Sequence, residues 1–146
     1  MYGRWTKVVV VLLGVALLAT FGLSAMSGQP TAPAVDSQAL QTRYDQQSAS
    51  YWNTGQCEDP VVAQSLRASR ESFAGLLLED VRVSSQATST STTDDRIEVT
   101  AEVTTLWILR EKAGAEGLDG GSTDAHRLVF DRTTGRLLSD EFLPAP

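Results

Sequence analysis

The sequence predicts an α+β fold in which two helices pack on a four-stranded antiparallel meander sheet, behind an N-terminal transmembrane helix. Three observations predict it. Residues 8–26 form an apolar run without a charged residue. Between residues 37 and 79, apolar residues recur every three or four positions, which is the period of a helix. From residue 81 onward, apolar and polar residues alternate, which is the period of a strand.

The apolar run at residues 8–26 predicts a single membrane span. Its 19 residues, at about 1.5 Å each, nearly cover the roughly 30 Å hydrocarbon core of a bilayer. Arg4 and Lys7 precede the run, so the positive-inside rule predicts a cytoplasmic N-terminus at residues 1–7. The C-terminal part is then extracytoplasmic, and we expect a single-pass protein of the cell membrane.

A cleaved secretory signal peptide is the alternative interpretation of the same segment. Ala25 and Ser27 are small residues at the positions that a signal peptidase requires, and cleavage there would release a secreted chain beginning near Gly28. In either case residues 27–36, which contain two prolines among small residues, are predicted to form an extended tether. Residues 37–146 then form the extracytoplasmic α+β domain, and their length suits one small domain.

Two helices are predicted at the start of this domain. The first runs from Ser37 to about Asn53, with Asp36 or Ser37 as its N-cap, and Asn53–Gly55 ends it. Asp59 and Pro60 form the N-cap and N1 pair that opens the second helix. The predicted inward positions are Leu40, Tyr44, Gln47 and Tyr51 in the first helix, and Val62, Leu66, Ser69, Phe73, Leu76 and Leu77 in the second.

Four strands are predicted to follow. The first begins after Glu79, and the polar residues 88–95 connect it to a long second strand at 97–109. A glycine-rich mobile loop is predicted at 111–124, then a third strand at 125–132 with His126, Leu128 and Phe130 on one face. A hairpin turn at 133–135 leads to a fourth strand at 136–143, which carries Leu138 and Phe142 on one face.

This order of elements, from Pro60 to Phe142, resembles the nuclear transport factor and ketosteroid isomerase superfamily, whose curved sheet and helices form a cone. A second resemblance is to the small extracytoplasmic domain that precedes amidase domains in high-GC Gram-positive bacteria. The residues that carry it are Thr104, Leu106, Trp107, the AHRLVF segment at 125–130, Gly135, Leu137 and Asp140. The amidase part with its catalytic cysteine is not in this sequence, so the resemblance implies an accessory domain and no enzyme.

The charge of the exported part excludes some classes of partner. It carries all 18 acidic residues and, without Arg4 and Lys7, 10 of the 12 basic ones, which gives a net charge of −8. Nucleic acids and anionic lipid surfaces require Lys and Arg to neutralise phosphate. We therefore expect no nucleic-acid partner.

The residues that carry chemistry are few, and we predict no catalytic, cofactor-binding or metal site. His126 is the only histidine, and no zinc-ligand spacing surrounds it. His126 either points into the mouth of the cone, where it binds a ligand, or is a partly buried structural residue. Cys57, the only cysteine, is either a half-buried side chain or forms a disulfide with a second chain.

Two further features are candidates for an interface or an exposed surface. The far end of the second strand is apolar on both faces, so Leu106 and Ile108 are expected to be covered by a helix or a partner, with Trp107 in the core or in an interface. Asp140 and Glu141, one of several acidic pairs near predicted element ends, are expected on a solvated surface.

The leading functional hypothesis is a cell-envelope protein with a non-enzymatic extracytoplasmic interaction domain, an accessory subunit of a membrane assembly. The alternative is a small-ligand-binding cone domain or a cryptic enzyme that uses the pocket near His126. A spacer without a specific ligand is the third interpretation.

Overall fold

The computed structural model describes residues 35–144. The predicted transmembrane segment at 8–26, the cytoplasmic residues 1–7 and most of the tether lie outside the described residues. Within residues 35–144, no helix has the length and apolar character needed to cross a membrane.

The first helix, α1, spans Ser37–Thr54, close to the predicted bounds. Its N-cap is Asp36, whose side chain accepts a hydrogen bond from the backbone N–H of Gln38 at 3.0 Å. At its end Gly55 adopts a left-handed conformation with φ 76°, and its N–H donates to the carbonyl of Tyr51 at 2.8 Å. A residue with a Cβ is strained at this φ, so the glycine is what lets the chain leave the helix here.

The inward positions predicted for α1 are confirmed except at one residue. The side chains of Leu40, Tyr44 and Tyr51 are buried. Gln47 instead uses its side-chain oxygen to accept hydrogen bonds from the backbone N–H groups of Glu58 and Asp59, at 2.7 and 3.2 Å. It therefore fixes the connection between the helices rather than filling the core.

The second helix, α2, spans Pro60–Glu71 and is shorter than its apolar pattern predicts. The predicted cap is confirmed, since the Asp59 carboxylate accepts from the N–H groups of Val61 and Val62. The helical spacing continues to Leu77, but a turn with Gly75 at φ 92° follows the helix. Leu77 is already the first residue of a strand.

The four strands form one antiparallel sheet in the order β1-β2-β3-β4, so the predicted meander is confirmed. Their bounds are β1 Leu77–Thr92, β2 Arg96–Arg110, β3 Leu118–Asp131 and β4 Leu137–Phe142. Short connections without a helix join neighbouring strands. Antiparallel strands permit such short connections.

Two strands are longer than predicted. Residues 88–92, predicted as part of a connection, continue β1 and pair with β2 as far as Thr92 opposite Ile97. Residues 118–124, predicted as part of a mobile loop, begin β3, where Gly120 and Gly121 pair with Trp107 and Leu106. Threonine is frequent in strands, and glycine opposite a large side chain leaves room for it, so both segments are compatible with a sheet.

The core lies between the two helices and one face of the sheet, here called the inner face. The inner face carries Val99 and Val103 of β2 and Leu128 of β3, and the opposite face of the sheet is called the outer face. Leu137 of β4 is buried, while Leu138 and Phe142, the predicted apolar pair of that strand, are 46% and 45% exposed.

Side chains of α1 cover part of the free edge of β1. The Asn53 amide both donates to the carbonyl of Val81 and accepts from its N–H, at 2.9 and 3.0 Å. The Asp45 carboxylate accepts from the N–H of Ser85 at 3.0 Å. These bonds satisfy backbone groups that would otherwise be open to another strand.

Replacing Asp45 with asparagine is expected to raise the free energy of unfolding at pH 7. Burial raises the pKa of the Asp45 carboxyl above its ordinary 3.8, so ionisation above the folded-state pKa costs stability, and protonation at lower pH removes this cost. The advantage of Asp45→Asn should therefore shrink as the pH falls from 7 towards 4. Urea unfolding of the full-length chain at several pH values would measure it.

The control for this prediction is Asp94→Asn, which changes an exposed carboxylate in the turn between β1 and β2. It removes the same charge from the chain without changing a buried group. An advantage of Asp45→Asn that grows towards acid pH, or one matched by Asp94→Asn, would contradict the prediction.

Candidate functional site

Asp140 of β4 is the centre of a buried polar network. Its side chain is 0% exposed, and that of His126 is 3% exposed. The Asp140 Oδ1 atom lies 2.7 Å from His126 Nδ1. Its Oδ2 atom accepts hydrogen bonds from the Tyr44 hydroxyl at 2.9 Å and the Ser65 hydroxyl at 2.8 Å. The network thus joins α1, α2, β3 and β4 at one carboxylate.

Sheet register brings Asp140 and His126 together. His126 is paired with Phe142, and Leu128 is paired with Asp140. His126 and Asp140 are therefore diagonal neighbours on the inner face, at a separation that long side chains can bridge. Tyr44 and Ser65 approach the same carboxylate from the two helices.

The network keeps the Tyr44 hydroxyl protonated and orients the His126 ring. Burial, followed by the charge of Asp140, raises the pKa of the Tyr44 hydroxyl far above its ordinary 10. Tyr44 therefore remains a neutral hydrogen-bond donor. The 2.7 Å contact between Asp140 Oδ1 and His126 Nδ1 orients the imidazole ring and leaves Nε2 as its second ring nitrogen.

A cavity of about 200 Å³ lies beside this network. Its lining includes His126, Asp124 and Ser122, which alternate along β3, and Thr105 and Trp107 of β2. The helical side is lined by Tyr44, Ser48, Trp52, Leu66 and Ser69. The cavity is thus bounded by the inner face of the sheet and both helices.

Aromatic rings form one wall of the cavity. Trp52 packs edge-to-face on Phe73, with ring centroids 5.9 Å apart, and Phe73 packs in the same way on Trp107 at 5.5 Å. Phe142 also lines the cavity, with its ring centroid 4.1 Å from that of His126. The cavity therefore has a mostly apolar wall and a few polar groups, which is typical of binding sites.

Ser48 contributes a buried hydroxyl to the cavity, close to the Tyr44 hydroxyl. Its residue is 1% exposed, it lines the cavity, and its hydroxyl has no hydrogen-bond partner among the described residues. Buried hydroxyls are usually hydrogen-bonded, so this one is available to a bound group.

The four residues predicted as a candidate pocket or interface divide between the two faces. His126 and Trp107 lie on the inner face and line the cavity. Leu106 and Ile108 lie on the outer face, and Leu106 is 53% exposed, so no helix of the described chain covers it as expected. The candidate residues therefore form a pocket group and an outer-face pair, because neighbours along a strand alternate between faces.

The Trp107 ring occupies the space that a side chain at position 120 would fill. A Cβ at position 120 would lie 2.5 Å from the indole Nε1 atom of Trp107. Gly120→Ala is expected to displace the indole and to lower the free energy of unfolding by about 1 to 3 kcal/mol. A change in tryptophan fluorescence of the full-length chain, together with its urea midpoint, would measure both effects.

Gly121→Ala is the matched control for this variant. Its Cβ would meet the end of the Leu106 side chain, which is exposed on the outer face and has room to move, and would lie 3.1 Å from the backbone oxygen of Thr105. We expect a smaller loss of stability and an unchanged environment of Trp107. Equal effects of the two substitutions would show that the indole does not depend on the gap at Gly120.

Asp140, Tyr44 and Ser65 were not predicted as site residues. Asp140 was expected on a solvated surface, which is wrong. A partial signal was present, since Asp140 and the apolar Phe142 are two residues apart and therefore share one face. Tyr44 was predicted to face inward as part of the core, and Ser65 carried no signal in the helical pattern.

Cys57 lies in the connection between α1 and α2 and is half-buried. Its Sγ atom donates to the carbonyl of Asp59 at 3.1 Å, and burial raises the pKa of its thiol. Its predicted disulfide with a second chain stays a prediction. Among residues 35–144 there is no group of three or more His, Cys, Asp or Glu side chains arranged to hold a metal ion.

Comparisons with known proteins add information on the fold. No protein-family model matches the chain, and no curated protein matches it in sequence. Among solved structures, the fold is similar to the crystal structure of the intermembrane space region of the chloroplast protein ARC6, with a TM-score of 0.54 and 11% sequence identity. The match covers 77% of this chain and 100% of that one. The similarity supports the α+β fold, and neither the nuclear transport factor superfamily nor the amidase-associated domain is identified by it.

Proposed function

We propose that the chain is a single-pass protein of the cell envelope whose extracytoplasmic domain binds a protein partner and performs no catalysis. The observation that carries the proposal is the cavity beside His126, with Phe142 exposed at its side. A partner side chain that enters this cavity would bury both the aromatic wall and the exposed ring. Central aromatic contacts of this kind supply most of the affinity in many interfaces.

The size of the cavity favours a side chain over a larger ligand. Its volume of about 200 Å³ is below the range of about 300 to 1,000 Å³ that is typical of small-molecule sites. The described residues also include exposed apolar side chains outside the cavity lining, such as Leu118 at 75% and Leu76 at 42% exposure. An apolar surface near a small cavity suits a protein partner that inserts one residue.

The hydrogen bonds of the network favour a structural role for the His126–Asp140 pair. Both oxygens of Asp140 are engaged by side chains of the protein, and three other elements are tied to β4 through them. In this proposal the pair holds the floor of the cavity. The intermembrane location of the similar ARC6 region is compatible with a domain that works between membranes or outside one.

Photo-crosslinking in intact cells tests the proposal. A photo-crosslinking amino acid at position 142, at the cavity, is compared with the same amino acid at position 138. Phe142 and Leu138 lie on one strand and are 45% and 46% exposed, but only Phe142 is among the residues that line the cavity. We expect one defined adduct from position 142, none from 138, and a weaker adduct when Ser122→Leu narrows the cavity.

Adducts of equal yield from both positions, or an adduct at 142 that Ser122→Leu leaves unchanged, would refute binding through the cavity. Absence of any adduct from position 142 in cells that express the full-length chain would refute the protein partner itself.

A second candidate function is the binding or conversion of a small molecule by the same cavity. The observation in its favour is the position of His126 in the cavity wall, with Nδ1 held by Asp140, an arrangement that orients the ring of a general base. Native mass spectrometry of the protein extracted from its membrane would find a small bound compound if this candidate is correct. The same compound should be lost from the Thr105→Trp variant, which fills the cavity.

A further inference from the structure

We propose that the cavity receives an alkylammonium group, the end of a lysine side chain of the protein partner. This inference rests on the proposed function, because it names the chemical group that the partner inserts. Size, aromatic wall, charge and hydrogen-bonding capacity of the cavity each point to this group.

The cavity has the size of a side-chain end. Its volume of about 200 Å³ exceeds the roughly 30 Å³ share of one water molecule several times. It therefore has room for a short alkyl chain with a charged group at its end. An ordered metal ion would instead require converging ligands, and the part of the chain that the structure describes contains no such cluster.

The aromatic wall suits a cation. Three rings in succession, Trp52, Phe73 and Trp107, line the cavity and are inclined to one another by 74° and 61°. Such an angled set surrounds a guest from several directions, unlike a flat stack. The face of an aromatic ring carries negative potential and attracts an ammonium group within about 6 Å of its centre.

The charges around the cavity have the sign that a cation requires. Asp124, an exposed residue, is among the lining residues, and its carboxylate forms no ion pair among the described residues. No lysine or arginine is among the lining residues that the structure describes. Two arginines of the surrounding strands are already paired, Arg127 with Glu141 and Arg110 with Glu79.

Two of the polar groups of the cavity can accept hydrogen bonds from a cation. Asp124 accepts only, and the buried hydroxyl of Ser48 has lone pairs without a donor among the described residues. An ammonium group is the complementary partner, since it carries three donors and no acceptor. A carboxylate guest would meet the charge of Asp124 and is therefore disfavoured.

Titration of the full-length chain in detergent with n-butylammonium, n-butanol and butyrate at constant ionic strength tests the chemistry. The chain has three tryptophans, so the indole N–H signals in a nitrogen-15 NMR spectrum report on the cavity residues Trp52 and Trp107, with Trp5 as reference. We expect saturable shifts of the two cavity signals with butylammonium, at a midpoint about tenfold below that of butanol, and none with butyrate.

Asp124→Asn is expected to raise the butylammonium midpoint about fivefold, as for loss of one partly solvated charge partner. Asp119 lies on the same strand with its side chain on the outer face. Asp119→Asn therefore controls for the change in net charge, and it should shift the midpoint less than twofold. Equal midpoints for butanol and butylammonium, or equal effects of the two substitutions, would overturn the assignment.

Competition separates this inference from the proposed function. If butylammonium suppresses the adduct at position 142, the partner presents its lysine to the cavity. If the adduct forms and butylammonium leaves it unchanged, the cation assignment fails and the protein partner stands. If butylammonium binds but no adduct forms, the cavity takes a free amine and the proposed protein partner is refuted.

Discussion

Replacing Asp140 with alanine is expected to lower the free energy of unfolding by about 3 kcal/mol or more, because each of three buried groups that loses its partner costs about 1 to 3 kcal/mol. The substitution leaves Nδ1 of His126 and the hydroxyls of Tyr44 and Ser65 without the carboxylate that they contact. The side chain of Asp140 is 0% exposed, so water does not readily replace the lost bonds. Urea unfolding of the full-length chain in detergent, followed by circular dichroism, would measure the loss.

A graded series makes this prediction specific to the hydrogen bonds. Asp140→Asn keeps the shape of the side chain but only one accepting oxygen, so a loss of about 1 to 3 kcal/mol is expected. Glu141→Ala removes the neighbouring acid, which pairs with Arg127 on the exposed outer face, and should cost less than about 1 kcal/mol. Similar losses for positions 140 and 141 would mean that Asp140 does not stabilise the domain through this network.

Loss of the network should also affect binding, because two of its residues line the cavity. His126 lines the cavity and is held by Asp140, and Tyr44 lines it from the helical side. A domain that keeps its fold without the network would still have a repositioned cavity wall. Ammonium binding by Asp140→Asn should therefore weaken together with its stability, whereas Glu141→Ala should bind as the unaltered chain does.

Most of the fold could be predicted from the periodicity of apolar residues. Helix α1 and strand β2 each carry a regular pattern from end to end, and their bounds agree with the structure within one or two residues. Both elements bury one face against the core, so selection for burial leaves a pattern along their whole length.

The apolar pattern did not predict the elements correctly in segments that are exposed or that carry small residues. The second half of β1 is exposed, and residues 88–92 are polar on both faces, so alternation is absent although the strand pairs with β2. The first part of β3 carries glycine and small polar residues because its inner side borders Trp107 and the cavity. At the end of α2, helical spacing continued by chance through a turn into Leu77.

The candidate site was predicted only in part for a related reason. His126 and Trp107 stand out by residue type, and both line the cavity. Asp140 resembles any acid near a strand end, and its role depends on pairing with β3 and on two helices that are distant in sequence. A network assembled from four elements leaves no local spacing that a sequence pattern can reveal.

Leu128→Ala is expected to destabilise the domain by about 3 to 5 kcal/mol, the range for a leucine removed from a tightly packed core. Leu128 is 0% exposed and lies at the centre of the inner face, opposite Val99 on β2 and Asp140 on β4. The cavity left by the missing side chain would border residues fixed by strand pairing, so the core has little freedom to collapse around it.

Leu138→Ala is the matched control, since it removes the same atoms from a side chain that is 46% exposed. Its expected cost is below about 1.5 kcal/mol, because less apolar area returns to water and no enclosed cavity forms. The two urea midpoints, measured on the full-length chain, should differ clearly. An equal loss of stability at positions 138 and 128 would mean that Leu138 faces the core, as the sequence pattern predicted. It would contradict the register in which Leu137 is the buried residue.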